Sequence, residues 1–171
     1  ISSAASDVYK RQNGKSPVKL AGYHALNSLR MEKGYLHWGH DIGVEENPFE
    51  AGVGFCVNLN KKNPFLGQAA LEEKKKSGLS KRKVNFALSN NDLLIYHNEP
   101  IYFDGKIVGE ISSGMYGFYL DKSLGMGYIS NNDSYSIEEM MSHQKFEIEV
   151  AETRYSAEGS INCFYDPGRE K

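Results

Sequence analysis

The densest group of chemistry-bearing side chains in this sequence is His37, His40, Asp41, Glu45 and Glu46, all within ten residues. Two imidazoles at i, i+3 can begin a metal site. No third ligand recurs at ligand spacing, so structural hydrogen bonding is the expected role of both histidines. Asp41 with Glu45 and Glu46 could form the paired carboxylates of acid–base chemistry, but they fall in a polar stretch, and solvated charges around a turn are expected there. Just upstream, Arg30 and Glu32 point to different faces of one helix, so each needs its own partner. Such groups in a small domain pin neighbouring loops through buried or half-buried ion pairs, and neither is assigned a catalytic role. Cys56 and Cys163 are the only cysteines. Two, without C-x-x-C spacing, give no disulfide framework, and both are expected to be buried apolar residues in a reducing compartment.

The elements that must carry these residues follow from the hydrophobic period. Leu26, Leu29 and Lys33 fall at i, i+3 and i+7, with Tyr23 one turn earlier, which predicts an amphipathic helix of roughly three turns ended by Gly34. Residues 54–58 read as a short strand, and residues 60–64 as a polar connection with a proline stop. Residues 65–76 carry Leu66, Ala69 and Ala70 at helical spacing, with Ser77 and Gly78 as the exit. Beyond Leu79 the period changes to two, and Val84, Phe86 and Leu88 alternate with polar residues. Asp104-Gly105 between two apolar triplets is the strongest hairpin signal. Residues 110–114, 125–129, 146–150 and 153–163 supply further short strands, so a small antiparallel barrel is expected in an α+β chain.

Composition limits the classes of function. At 171 residues and 40% hydrophobic, the chain can bury a substantial core. A net charge of −2 leaves no basic face for nucleic acid. The basic residues Lys74, Lys75 and Lys76, with Lys81, Arg82 and Lys83, are expected to form a solvated helix end and turn. No run of eighteen apolar residues is present, so no membrane span is expected. Residues 1–12, ISSAASDVYKRQ, lack an initiator Met and any targeting pattern. They are expected to be a non-native or disordered leader resembling translated adaptor sequence, with the native sequence starting near Asn13.

Three motifs follow one another at fixed spacing: Ser28-Leu29-Arg30-Met31-Glu32-x-Gly34, then Gly39-x-Asp41-Ile42, then Asn47-Pro48-Phe49-Glu50-x-Gly52. Phe65-Leu66-Gly67-Gln68-Ala69-Ala70-Leu71 follows, with Gln68 where Lys or Arg is usual, then Gly109-x-Ile111-x-Ser113-Gly114 and the phrase from Lys122 to Ile129. Together these resemble the aminomethyltransferase, or glycine cleavage T-protein, family over roughly residues 16–167. The resemblance implies the C-terminal part of a folate-binding domain at residues 13–78 and a C-terminal β-barrel domain at residues 79–171.

Within that family the chain looks closest to the folate-binding C-terminal region of FAD-dependent sarcosine and dimethylglycine dehydrogenases. Leu26 stands where the glycine-cleavage branch has a folate-contacting Arg, and Glu32-Lys33-Gly34-Tyr35 matches the dehydrogenase pattern. The resemblance implies oxidative N-demethylation, with an N-methyl amine oxidised at FAD in an upstream domain absent from this chain and the one-carbon unit passed to tetrahydrofolate. It implies folate contacts from Phe55, for which a core role is the alternative, and from Arg169. The family's catalytic acid lies upstream of these motifs, so no catalytic residue is expected here. Alternatives are a free-standing folate-dependent aminomethyltransferase or demethylase and a non-catalytic regulatory relative. The implied compartment is the cytoplasm in a bacterium and the mitochondrial matrix in a eukaryote.

Overall fold

A computed structural model describes residues 21–168 and residue 170. The expected leader at residues 1–12 and the candidate Arg169 lie outside the described residues. Helix α1, Tyr23–Lys33, ends at Gly34, whose φ of 66° lets its N–H reach the carbonyls of Arg30 and Met31. Its buried residues are Ser28, Met31 and Glu32, whereas Tyr23, Leu26 and Leu29 are exposed. This corrects the expected inward stripe. The polar flank turns toward the barrel because a tight turn there presents backbone donors that need acceptors. Ser28 Oγ accepts from the Phe118 N–H, and one carboxylate oxygen of Glu32 accepts from both Tyr119 and Leu120.

The strand expected at residues 54–58 is instead a 3₁₀ turn, Gly54–Cys56. Local bonds explain the difference: Cys56 N–H donates to Val53 and Val57 N–H to Gly54, leaving no free row of groups for a ladder. Helix α2, Gln68–Ser77, begins later than expected, after Gly67 at φ 86°, and buries none of its residues.

Six strands follow: β1 Lys81–Leu88, β2 Pro100–Phe103, β3 Lys106–Gly117, β4 Lys122–Ser130, β5 Phe146–Val150 and β6 Thr153–Ser160. All pairings are antiparallel and the order β1-β4-β3-β2-β5-β6 closes on itself, as the alternating pattern predicts. Closure leaves no unpaired edge. Val84, Phe86, Ile101, Phe103, Ile111, Ile129, Phe146 and Ile148 fill the interior. The Phe146 ring meets Phe86 and Phe103 edge-on at 5.4 and 5.1 Å. Asp104 and Gly105 both have positive φ, 49° and 78°, as the two-residue hairpin requires.

Helix α3, Ile137–His143, had no counterpart in the sequence reading. Its signal is Ser136-x-x-Glu139, a capping box in which each side chain satisfies the other residue's backbone, and it delivers Ile137 and Met140 into the barrel core.

The two cysteines depart from expectation: Cys56 is exposed on the 3₁₀ turn, and Cys163 is only partly buried, its thiol donating to the Tyr165 carbonyl at 3.1 Å.

Candidate functional site

Helix α1, the loop after it and the open side of β3–β4 meet at Arg30. Its Nε donates to Asn27 at 2.8 Å, one terminal nitrogen to Asp41 at 2.8 Å and the other to Ser113 Oγ at 3.0 Å. A guanidinium can serve three directions at once because its donors form a rigid fork. Asp41 is 1% exposed, not a solvated loop charge. Its carboxylate also accepts the His37 N–H at 2.8 Å and the Ser112 hydroxyl at 2.6 Å, and its backbone carbonyl accepts the Tyr128 hydroxyl at 2.7 Å. Burial, with the nearby charges of Glu46 and Asp41, pushes the Tyr128 phenol well above its ordinary range, so it stays a neutral donor. The expectation of ion pairs pinning neighbouring loops is met at Arg30 through Asp41, whereas Glu32 pins its turn through the Tyr119 and Leu120 N–H groups instead.

The other loop groups divide. Glu45 is exposed as expected. Glu46 is paired with Lys81 at 2.9 Å and accepts the Gly43 N–H at 2.8 Å. Burial opposes its ionisation, but these bonds hold its carboxyl below the ordinary value. His37 and His40 stack at 4.8 Å and an interplanar angle of 11°. Among the described residues no group of three or more His, Cys, Asp or Glu could hold a metal ion.

The segment 47–57 forms the second part of the site. Asn47 Oδ1 accepts the N–H groups of Phe49 and Glu50 at 3.0 and 3.1 Å, and Glu50 returns a bond to the Asn47 N–H at 3.2 Å. The closed ring of bonds fixes one tight turn. Gly52 continues it at φ 78°, and a Cβ on Gly54 would lie 2.8 Å from the Phe49 ring. Phe55 then stands 70% exposed on the 3₁₀ turn. A cleft of about 430 Å³ opens beside this turn, lined by Phe49, Val57, Leu59, Glu72 and Lys76 among others.

The basic residues behave as two sets. Lys74, Lys75 and Lys76 are exposed, as expected of a solvated helix end. Lys81, Arg82 and Lys83 are not a solvated turn: they open β1, where Lys81 binds Glu46, Arg82 donates to the Phe49 carbonyl, and buried Lys83 bonds Asn85 at 3.2 Å.

Of the two site residues expected from the sequence, Phe55 lies among the described residues and Arg169 outside them. Phe55 points outward from a braced turn, while Asp41, Ser112, Ser113, Tyr128 and Arg82 emerge as the groups that brace the loops. The sequence contains no G-x-G-x-x-G, and the named strands pair only antiparallel. Phe55 itself is not among the residues that line the neighbouring cleft, whose walls are of mixed polarity.

A closed antiparallel barrel, a helix braced on it by Arg30 and Glu32, and a glycine-dependent turn define a barrel module with a helix and loop packed against it. Residues 81–166 match the glycine cleavage T-protein C-terminal barrel domain, and residues 5–61 match the GCVT N-terminal domain. The chain belongs to the glycine cleavage T-protein family. The N-terminal match takes in residues 5–12 of the expected leader. Its relatives include enzymes: 4-methylaminobutanoate oxidase (formaldehyde-forming) of Paenarthrobacter nicotinovorans is 38% identical over 90% of this chain and 18% of its own length. Human mitochondrial sarcosine dehydrogenase is 32% identical over 88% of this chain and 16% of its length, and human mitochondrial dimethylglycine dehydrogenase 40% identical over 63% and 12%. The chain thus spans less than a fifth of each of these relatives. Among solved structures, the glycine cleavage system aminomethyltransferase T from Bartonella henselae shares the fold, with a TM-score of 0.76 at 22% identity, covering 97% of this chain and 45% of that one. Among the described residues no helix is long and apolar enough to cross a membrane.

Proposed function

We propose that this chain is the folate-binding C-terminal part of an FAD-dependent dehydrogenase acting on a small N-methyl amine of the sarcosine or dimethylglycine type. The observation that carries the folate assignment is Phe55. A large aromatic ring held 70% exposed on a braced turn is accessible to a ligand, which supports reading it as a folate contact. Leu26 supports the dehydrogenase branch: it lies exposed on α1 where the glycine-cleavage branch carries a folate-binding Arg, and so gives that branch's contact no cation. The names of the oxidase and dehydrogenase relatives point the same way.

In this reading residues 13–78 close the folate domain and residues 79–171 form the barrel domain. Tetrahydrofolate, when bound, accepts the one-carbon unit released from the oxidised amine. Phe55 supplies an apolar face for the pterin, and the Asn47–Glu50 ring of bonds keeps that face in place. Arg169 remains a proposed contact. No residue of this chain is assigned a proton transfer. The compartment follows the source: mitochondrial matrix in a eukaryote, cytoplasm in a bacterium.

The test uses the protein that carries this chain. Titration with (6S)-5-formyltetrahydrofolate should show Phe55→Ala weakening binding roughly ten- to a hundredfold, the equivalent of about 1–3 kcal/mol of lost apolar and stacking contact. Unchanged affinity would remove Phe55 from the site. Flavin reduction on adding sarcosine or dimethylglycine tests the dehydrogenase assignment. A protein that binds folate but carries no flavin would be a free-standing transferase instead.

A further inference from the structure

We infer that Arg82, on barrel strand β1, is the positioning residue for Phe55, so that the barrel sets the geometry of the ligand face; the inference rests on the folate reading above. Arg82 donates to the backbone carbonyl of Phe49, and the neighbouring Lys83 N–H donates to the Glu50 carbonyl at 2.9 Å. These two bonds dock the tight turn onto the start of β1. From Phe49 the path to Phe55 is short. The Phe49 ring occupies the space a side chain at residue 54 would need, a Cβ there falling 2.8 Å from it, so moving Phe49 moves the Gly54 backbone. Phe55 is the next residue, inside a 3₁₀ turn whose bonds close from Val53 to Val57.

The chemistry of Arg82 fits this role better than a role in charge pairing. Among the described residues no carboxylate lies within ion-pair distance of it. A permanently charged, half-buried guanidinium is directed at a neutral carbonyl, giving a charge-assisted hydrogen bond of a strength ordinary turn contacts lack. A Cβ on Gly52 would lie 3.9 Å from its second terminal nitrogen, so the guanidinium also borders the positive-φ residue that turns the chain toward Phe55.

The experiment measures (6S)-5-formyltetrahydrofolate affinity by calorimetric titration of the protein carrying this chain, in the parent and in Arg82→Gln, Arg82→Lys, Phe55→Ala and the Phe55→Ala/Arg82→Gln double variant, with the thermal midpoint of each. Arg82→Gln should weaken binding about three- to tenfold, and Arg82→Lys, which keeps a cationic donor for Phe49, should restore most of it. The double variant should bind no more weakly than Phe55→Ala alone, because the two changes act through one contact. If Phe55→Ala weakens binding but Arg82→Gln does not, or if the two losses add, the positioning role is wrong while the folate reading stands. Equal loss in Arg82→Gln and Arg82→Lys, tracking a fall in thermal midpoint, also overturns it, since that is general destabilisation. If Phe55→Ala itself leaves affinity unchanged, the folate reading fails and takes this inference with it.

Discussion

A carboxylate in a polar, turn-forming stretch is ordinarily solvated, and Asp41 departs from that rule because its partners come from three other parts of the chain. Arg30 approaches from α1, Ser112 from β3, and the Tyr128 hydroxyl from β4 on its carbonyl. Removing the cation leaves a buried carboxylate with hydroxyl and amide donors only. Breaking one side of a buried pair costs about 3–5 kcal/mol, well above the net worth of the pair itself. Arg30→Ala should therefore lower the unfolding free energy by that order, and urea denaturation of the variant against the parent measures it. A loss below about 1 kcal/mol would mean that water reaches Asp41 in the variant and replaces the guanidinium. At this scale the sequence shows that Arg30 and Glu32 need partners but cannot say which. Ser112 and Tyr128 carry no local pattern that marks them as donors to a loop 70 or more residues away, and Ser113 carries none that marks it as an acceptor for Arg30. Arg82 is hidden for a related reason, since its place among basic residues resembles a solvated run until β1 brings it against the Phe49 carbonyl.

Elements whose causes are local are readable from local sequence. The Asp104-Gly105 turn, the strand through Val84, Phe86 and Leu88, and the Gly34 stop all appear where expected, although β1 is buried on both faces from Lys83 to Leu88 rather than half-buried. The face that α1 buries is not readable, because it depends on the donors of the β3–β4 turn. A strand at residues 54–58 fails because its N–H groups close a local 3₁₀ turn instead. The glycines of the barrel show a constraint that alternation alone does not reveal. A Cβ at Gly109 would lie 1.8 Å from the Tyr128 carbonyl oxygen, backbone that cannot move without opening the pairing of Gly109 with Ile129. Contacts under 3 Å to backbone are not relieved by side-chain rotation. Gly109→Ala should thus break the β3–β4 ladder and leave little folded protein, read as loss of the β signal in circular dichroism. Gly22→Ala, with nothing among the described residues within 4 Å of the new carbon, is the control and should fold as the parent does.

Across the whole molecule, closure divides stability unequally. The barrel satisfies its backbone through six antiparallel pairings and encloses Phe86, Phe103, Ile111, Ile129, Phe146 and Ile148. Helix α1 adds Met31 to a smaller cluster with Ala87, Leu124 and Met126, and is tied down at its end by Lys33–Asp166 at 2.6 Å and by Tyr165 N–H to the Glu32 carbonyl at 3.1 Å. Helix α2 buries nothing. Local opening free energy follows buried apolar contact and shielded hydrogen bonding, so the three units should open in reverse order of enclosure. Native-state hydrogen exchange is therefore expected to show α2 amides exchanging first, α1 amides next, and the paired amides of β1, β3 and β4 last, near the global unfolding limit. The Arg30 and Glu32 bonds make the middle step informative. If they lock α1 to the barrel as one cooperative unit, α1 amides would exchange at the barrel's rate, and Arg30→Ala would separate the two. If α1 exchanges more slowly than β1 in the parent, the barrel is not the most stable part of the chain, and closure is not what organises its stability.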